Sequence, residues 1–146
     1  MLSSLFSDPL PVGSTAPDFE GFDEEGRRLS LAAYRGRALV LVFYPGDDTP
    51  TCTRQLCEFR DSWAEAQARG VDVVGVNPWS RDRHARFRRK FSFPFPLLVD
   101  EGQRVAKLYR AGGLWVKRTV YLIGPDGVIR YARRGKPSPE EVFATL

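Results

Sequence analysis

Histidine and cysteine are scarce in this chain: 146 residues hold one histidine, His84, and two cysteines, Cys52 and Cys57. One imidazole and two thiols cannot complete a thiol-rich zinc site without carboxylates or a second chain, so neither metal nor cofactor is expected. Nor can two thiols supply the disulfide framework on which very small secreted domains depend. No apolar run reaches the roughly 18 residues of a membrane span, so no membrane partner is expected. The opening MLSSLFSDPLPVGSTAPDF lacks a basic start followed by a long apolar stretch and does not read as a secretory signal. The expected compartment is therefore the cytoplasm, where thiols are kept reduced and a reactive pair is a better reading than a structural bridge. There is no internal repeat and no low-complexity segment. The charge excess is small as well: 22 basic against 18 acidic residues leave +4, which does not by itself call for nucleic acid.

What is present is enough for one domain, expected over residues 1–146, with a core that needs no staples. Residues 19–22 and 27–31 flank Asp23-Glu24-Glu25-Gly26 and suggest a short hairpin, and residues 30–34 suggest a helical turn stopped by Gly36. ALVLVFYP, residues 38–45, is continuously apolar, as a strand buried on both faces should be. A helix is predicted over residues 50–69 and a second buried strand over 71–76. A basic helix over 81–91, a short strand over 96–99 and a short helix over 103–110 follow. Strands over 119–124 and 128–134 are joined by the turn residues Pro125-Asp126-Gly127, and Ser138 and Pro139 open a last helix. This order predicts an α/β domain in three layers, a central mixed sheet flanked by helices. A thioredoxin-like architecture fits it, and order alone leaves a flavodoxin-like one open.

Both cysteines fall in YPGDDTPTCTRQLCEFRD, residues 44–61. Thr49 is suited to the N-cap and Pro50 to the first helical position, which makes Cys52 the third residue of the helix. Backbone N–H groups at a helix start are unpaired and partly positive, so a thiolate there is stabilised as a carboxylate is. The gain has a ceiling: moving a thiol from about 3% to about 90% thiolate is roughly thirty-fold, or about 2 kcal/mol. Ionisation alone does not make a fast enzyme, and the site must also bind substrate and stabilise charge in the transition state. Cys52, Leu56, Phe59, Trp63 and Ala66 share one helical stripe. Cys57 lies about 140° around the helix from Cys52, with a Cα separation of about 8.7 Å. A disulfide needs about 4.4–6.8 Å, so the two cannot bond while both stay in regular helix. Either they never bond, or the helix opens when they do.

Pro45-Gly-Asp-Asp-Thr49-Pro-Thr-Cys52 resembles the PxxxTxxC motif of the peroxiredoxins, and a second cysteine five positions on is similar to the bacterioferritin comigratory protein, or peroxiredoxin Q, branch. VGSTAPDF, VDVVGVN, FPLLVDE and RTVYLIGPDGVIR extend the resemblance over most of the chain. The resemblance implies a thioredoxin-like fold and a thiol peroxidase. Cys52 would be the peroxidatic cysteine, which attacks the peroxide and becomes a sulfenic acid. Cys57 would be the resolving cysteine that condenses with it. Thioredoxin or a similar dithiol protein would reduce the disulfide. Thr49 would hydrogen-bond peroxide and thiolate, Pro45 would shield the pocket, and Arg118 would place fixed positive charge beside the sulfur. A monomer is expected over a dimer. Asn77-Pro78-Trp79 departs from the smaller polar residues of many relatives, and no third cysteine exists to resolve between subunits.

Each residue also has a plainer reading. A cysteine on an apolar stripe is commonly a small core residue, Cys57 could be filler, Arg118 a surface charge, Pro45 a strand stop and Thr49 only a cap. RDRHARFRRK, residues 81–90, is expected to be a solvated face, with nucleic-acid binding as the sharper alternative and His84 exposed. Phe87, Phe91, Phe93 and Phe95 are expected to pack core and lid. The competing functions are a thiol–disulfide oxidoreductase and a redox sensor. The first uses CxxC and a proline facing the thiols, whereas here the spacing is CxxxxC and the facing segment reads Val116-Lys117-Arg118-Thr119.

Overall fold

The structure, a computed structural model, describes residues 8–146. Two short strands, β1 (Glu20–Phe22) and β2 (Arg28–Ser30), pair as the expected hairpin, and a 3-10 turn at Leu31–Tyr34 follows. Asp23 closes that hairpin by accepting the backbone N–H groups of Glu25 and Arg27 at 2.8 and 2.9 Å. The main sheet contains β3 (Ala38–Phe43), β4 (Val71–Asn77), β5 (Leu97–Val99), β6 (Thr119–Ile123) and β7 (Ile129–Arg134), in the order β5-β4-β3-β6-β7. β3, β4 and β5 run parallel, and β6 and β7 are antiparallel additions at the other side of β3.

The unbroken apolar run of β3 is explained by its place in the middle of this sheet. Alternate side chains point to opposite faces, so both sets must be apolar when both faces are covered. Leu39, Leu41 and Phe43 enter one core with Phe19, Leu31, Val105 and Tyr109. Val40, Val42 and Tyr44 enter the other with Cys52, Leu56, Phe59, Phe87 and Phe143. Both cysteines thus belong with the second core, Cys52 inside it and Cys57 packed against it.

The helix predicted over residues 50–69 is two helices, α1 (Pro50–Asp61) and α2 (Trp63–Ala68). Ser62 separates them with φ −97° and ψ 9°, outside helical values. The apolar stripe continues across this break: Leu56, Phe59 and Ala66 are all buried. Side-chain burial therefore carried the periodic signal through a backbone interruption. α3 (Arg81–Phe91) begins at Ser80, whose hydroxyl accepts the Arg83 N–H, and ends at Ser92 in the left-handed region. α4 (Arg104–Leu108) is shorter than expected because Gln103 closes a separate 3-10 turn and the chain leaves the helix at Tyr109 and at Arg110, with φ 55°. α5 (Pro139–Phe143) is capped by the Ser138 hydroxyl and packs Val142 and Phe143 into the second core. Among the described residues, no helix is long and apolar enough to cross a membrane.

Candidate active site

The site forms at the start of α1, where the loop after β3 turns back over the sheet. The first turn of α1 points Cys52 inward, and its side chain is fully buried. Arg118, half-buried just before β6, reaches across from the neighbouring strand. Its Nη2 donates to Cys52 Sγ at 3.2 Å. The same guanidinium donates through Nη1 to Gln55 Oε1 at 2.9 Å. Two fixed contacts orient a planar fork far better than one, so Gln55 determines where the positive charge sits. The backbone around Arg118 is also held, because Gly135 N donates to the Arg118 carbonyl at 2.9 Å.

Thr49 occupies the N-cap position of α1, but its side chain does not cap. The hydroxyl instead donates to the Gly46 carbonyl at 3.0 Å. The expectation of a side-chain cap is corrected accordingly: the loop bends tightly enough to offer a carbonyl first. The N–H groups at the head of α1 therefore have no side-chain cap, and their partial positive charge faces the Cys52 end of the helix. Pro45 is half-buried in the same loop, immediately past β3.

Cys57 sits elsewhere on α1. It is half-buried, packs against the second core and is a free thiol, as is Cys52. Burial pushes its thiol pKa up, with the Arg60 charge opposing and the Asp61 charge reinforcing that shift. Arg118 meets Cys52 directly, Pro45 and Thr49 lie in the loop that leads into the same end of α1, and Cys57 lies on the next turns of the helix.

His84 is not exposed. It is fully buried, because the Ser80 cap sets the phase of α3 so that His84 and Phe87 both face the sheet. Its Nδ1 lies 2.6 Å from Asp47 Oδ2. The basic side chains around it are not all free in solvent either. Arg88 pairs with the buried Glu24 at 2.8 Å, Lys90 pairs with Asp48 at 2.8 Å, and Arg81 Nε donates to the Glu24 carbonyl. Arg83 stacks over the Trp79 ring at 4.5 Å and, with Arg86 and Lys90, lines an open cavity of about 460 Å³ beside Asp48. Phe87, Phe93 and Phe95 are buried as expected, Phe93 stacking on Phe95, and Phe91 is partly buried against them.

Two contributors were missed by sequence reasoning. Gln55 lies three residues after Cys52, on the edge of an otherwise apolar stripe, and a buried amide there needs partners. That polar interruption was the available signal. Asp47 gave none, because one aspartate in a Gly-Asp-Asp turn looks like any other loop residue.

The chain is similar to known proteins over most of its length. The AhpC/TSA family model matches residues 12–132. Peroxiredoxin Q of rice (Oryza sativa subsp. japonica), a chloroplastic protein, is 38% identical over 133 residues, covering 88% of this chain and 61% of the rice protein. The chain thus spans less than two thirds of that relative's length. The crystal structure of peroxidoxin BcpB from Mycobacterium tuberculosis is 30% identical and superposes with a TM-score of 0.87, covering 93% of this chain and 96% of that one. The bacterioferritin comigratory protein of Xanthomonas campestris, studied for alkyl peroxide reduction, is 27% identical, with a TM-score of 0.77 and 86% of both chains covered.

Proposed function

As the chain belongs to the AhpC/TSA family, with a thioredoxin-like fold shared with peroxiredoxin Q and bacterioferritin comigratory proteins, we propose that it is a thiol peroxidase acting on hydrogen peroxide and organic hydroperoxides. The observation that carries this reading is the Arg118 guanidinium 3.2 Å from Cys52 Sγ at the head of α1. A guanidinium there favours the thiolate over the thiol and stays in place as charge moves onto oxygen.

The cycle divides into three steps. Cys52 thiolate attacks one peroxide oxygen, an S–O bond forms as the O–O bond breaks, and the departing oxygen takes a proton to leave as water or alcohol. The sulfur is now a sulfenic acid, oxidised by two electrons. In this reading Arg118 and the helix N–H groups stabilise the negative charge that gathers on the departing oxygen, and the Thr49 hydroxyl orients the peroxide. Pro45 shields that side of the pocket from water.

In the second step Cys57 attacks the Cys52 sulfur and displaces the hydroxyl as water, leaving an intramolecular disulfide. Regular helix holds the two Cα atoms about 8.7 Å apart, beyond disulfide reach, so α1 must open in this step. In the third step a dithiol protein such as thioredoxin takes the disulfide by exchange and restores both thiols. The balance is one peroxide and one dithiol consumed, with alcohol or water, a second water and one disulfide formed. The reading places the protein in the cytoplasm as a monomer.

Stopped-flow oxidation of the reduced protein by hydrogen peroxide and by an organic hydroperoxide, followed by mass spectrometry, tests this. The expected product is a Cys52–Cys57 disulfide, two hydrogens lighter than the dithiol. A protein that stays reduced under these oxidants is not a peroxidase.

A further inference from the structure

A group of buried polar residues lies behind the active-site loop and takes no part in the cycle above. Tyr44, Asp47, Asn77 and His84 are all within 6% of complete burial, inside a core otherwise filled by residues such as Phe87 and Leu97. They come from four places: the end of β3, the loop before α1, the end of β4 and the first turns of α3. Tyr44 Oη donates to Asp47 Oδ1 at 2.7 Å, and His84 Nδ1 meets Asp47 Oδ2 at 2.6 Å. His84 Nε2 faces the carbonyls of Asn77 and Leu98 at 3.1 and 3.0 Å. Asn77 Nδ2 donates to the Tyr44 carbonyl at 2.7 Å, and Asn77 Oδ1 accepts the Trp79 N–H at 2.8 Å.

The proton inventory is closed. Nε2 faces only carbonyl oxygens, so it carries a hydrogen. The 2.6 Å contact between Nδ1 and Asp47 Oδ2 needs one more proton between the two groups, which joins His84 and Asp47 in a buried hydrogen-bonded pair. Burial, then the neighbouring Asp47 charge, pushes the Tyr44 phenol well above its ordinary pKa, so its hydroxyl remains a donor.

Filling this space with apolar side chains would hold the core together at least as well as a buried hydrogen-bonded pair does. What polar contacts add is orientation. Three of these contacts end on residues 44–47: those of Tyr44 Oη and His84 Nδ1 with Asp47, and that of Asn77 Nδ2 with the Tyr44 carbonyl. Trp79, placed by Asn77, lies against Gly46 so closely that a Cβ there would come within 2.7 Å of its ring. The Gly46 carbonyl in turn receives the Thr49 hydroxyl. Asp47 is the last anchored residue before Asp48, at φ 55°, turns the chain into α1.

Building on the peroxidase reading, we propose that Asp47 and His84 are positioning residues: their buried pair clamps the loop bearing Pro45 and Thr49 to the sheet, so that this half of the peroxide site keeps its shape while α1 opens for Cys57. Neither residue touches the reacting atoms.

The test compares two reactions of the same sulfur. Oxidation by peroxide needs the Thr49 side of the pocket, whereas alkylation by iodoacetamide needs only an accessible thiolate. Misplacing a reacting group by about 1 Å costs about a hundredfold. His84→Leu should therefore slow peroxide oxidation by about ten- to a hundredfold, with alkylation changed less than about twofold. Asp47→Ala should behave likewise. Asp47→Asn should restore at least about a third of the rate, because its Oδ1 accepts from Tyr44 while its Nδ2 donates to a neutral His84. Equal losses in both reactions, or no loss in either, overturn the proposal.

A second measurement on the unmutated protein covers the case in which His84→Leu does not fold. With a single histidine in the chain, its ring N–H signals are unambiguous in a nitrogen-resolved NMR spectrum. They should persist when the disulfide is formed with diamide, an oxidant that needs no peroxide pocket. Loss of these signals on disulfide formation overturns the clamp. A protein that diamide oxidises and peroxide does not would instead overturn the peroxidase reading, with the clamp judged by the NMR result alone.

Discussion

The first turn of α1 and its middle carry the same side chain in opposite conditions. Cys52, in the first turn, is sealed from water and still has a guanidinium at 3.2 Å, with helix N–H groups that no side chain caps. Cys57, five residues later, is more open to solvent, yet burial raises its pKa, with the Arg60 charge opposing that rise and the Asp61 charge adding to it. The two surroundings differ in whether fixed positive charge accompanies the loss of water. In the proposed cycle the division is useful: one sulfur must be charged before substrate arrives, and the other is needed only after the helix has opened.

The largest break in this comparison is Cys52→Ser. It should abolish peroxide consumption altogether, and a variant that still reduced peroxide through Cys57 would erase the distinction. Cys57→Ser should consume about one equivalent, accumulate a sulfenic acid that dimedone traps, and fail to turn over with thioredoxin. Normal turnover of that variant would assign resolution to an external thiol. Arg118→Ala removes the charge that separates the two environments, and peroxide oxidation should slow by about a hundred- to a thousandfold while circular dichroism is unchanged. Stopped-flow rates within twofold of the parent would place Arg118 outside the chemistry.

The fold was readable where burial is two-sided. β3 is apolar throughout, and β4 is so from Val73 to Val76, because both faces are covered, and that pattern admits few other readings. The break at Ser62 was not readable, since nothing in the residues interrupts the buried stripe there. In the site, the spacing of Thr49, Pro50 and Cys52 encodes a helix start, which is a local property and so visible in sequence. Arg118 became a candidate only through the peroxiredoxin resemblance, because 66 residues separate it from Cys52 and pairing of β3 with β6 brings them together. The placement of His84 failed for a related reason. A lone histidine among six basic residues looks solvated, and its burial depends on Asp47, which lies 37 positions away and is brought near by the parallel β3–β4 pairing.

The smallest effect concerns Cys57 itself and tests the helix as its cause. In Cys52→Ser the remaining thiol can be alkylated alone. A raised pKa means that the folded helix disfavours the thiolate, so less of Cys57 is ionised at neutral pH than the roughly 3% of a free cysteine. Its alkylation rate should therefore climb about tenfold per pH unit and level off only above the ordinary thiol value, near ~8.5. In denaturant the curve should move back toward lower pH, because unfolding returns the sulfur to water and removes the first cause of the shift. The same relief accompanies any local opening of α1. Cys57 would thus become the better nucleophile at the moment the helix lets it reach Cys52, and identical curves with and without denaturant would show that folding does nothing to hold it back.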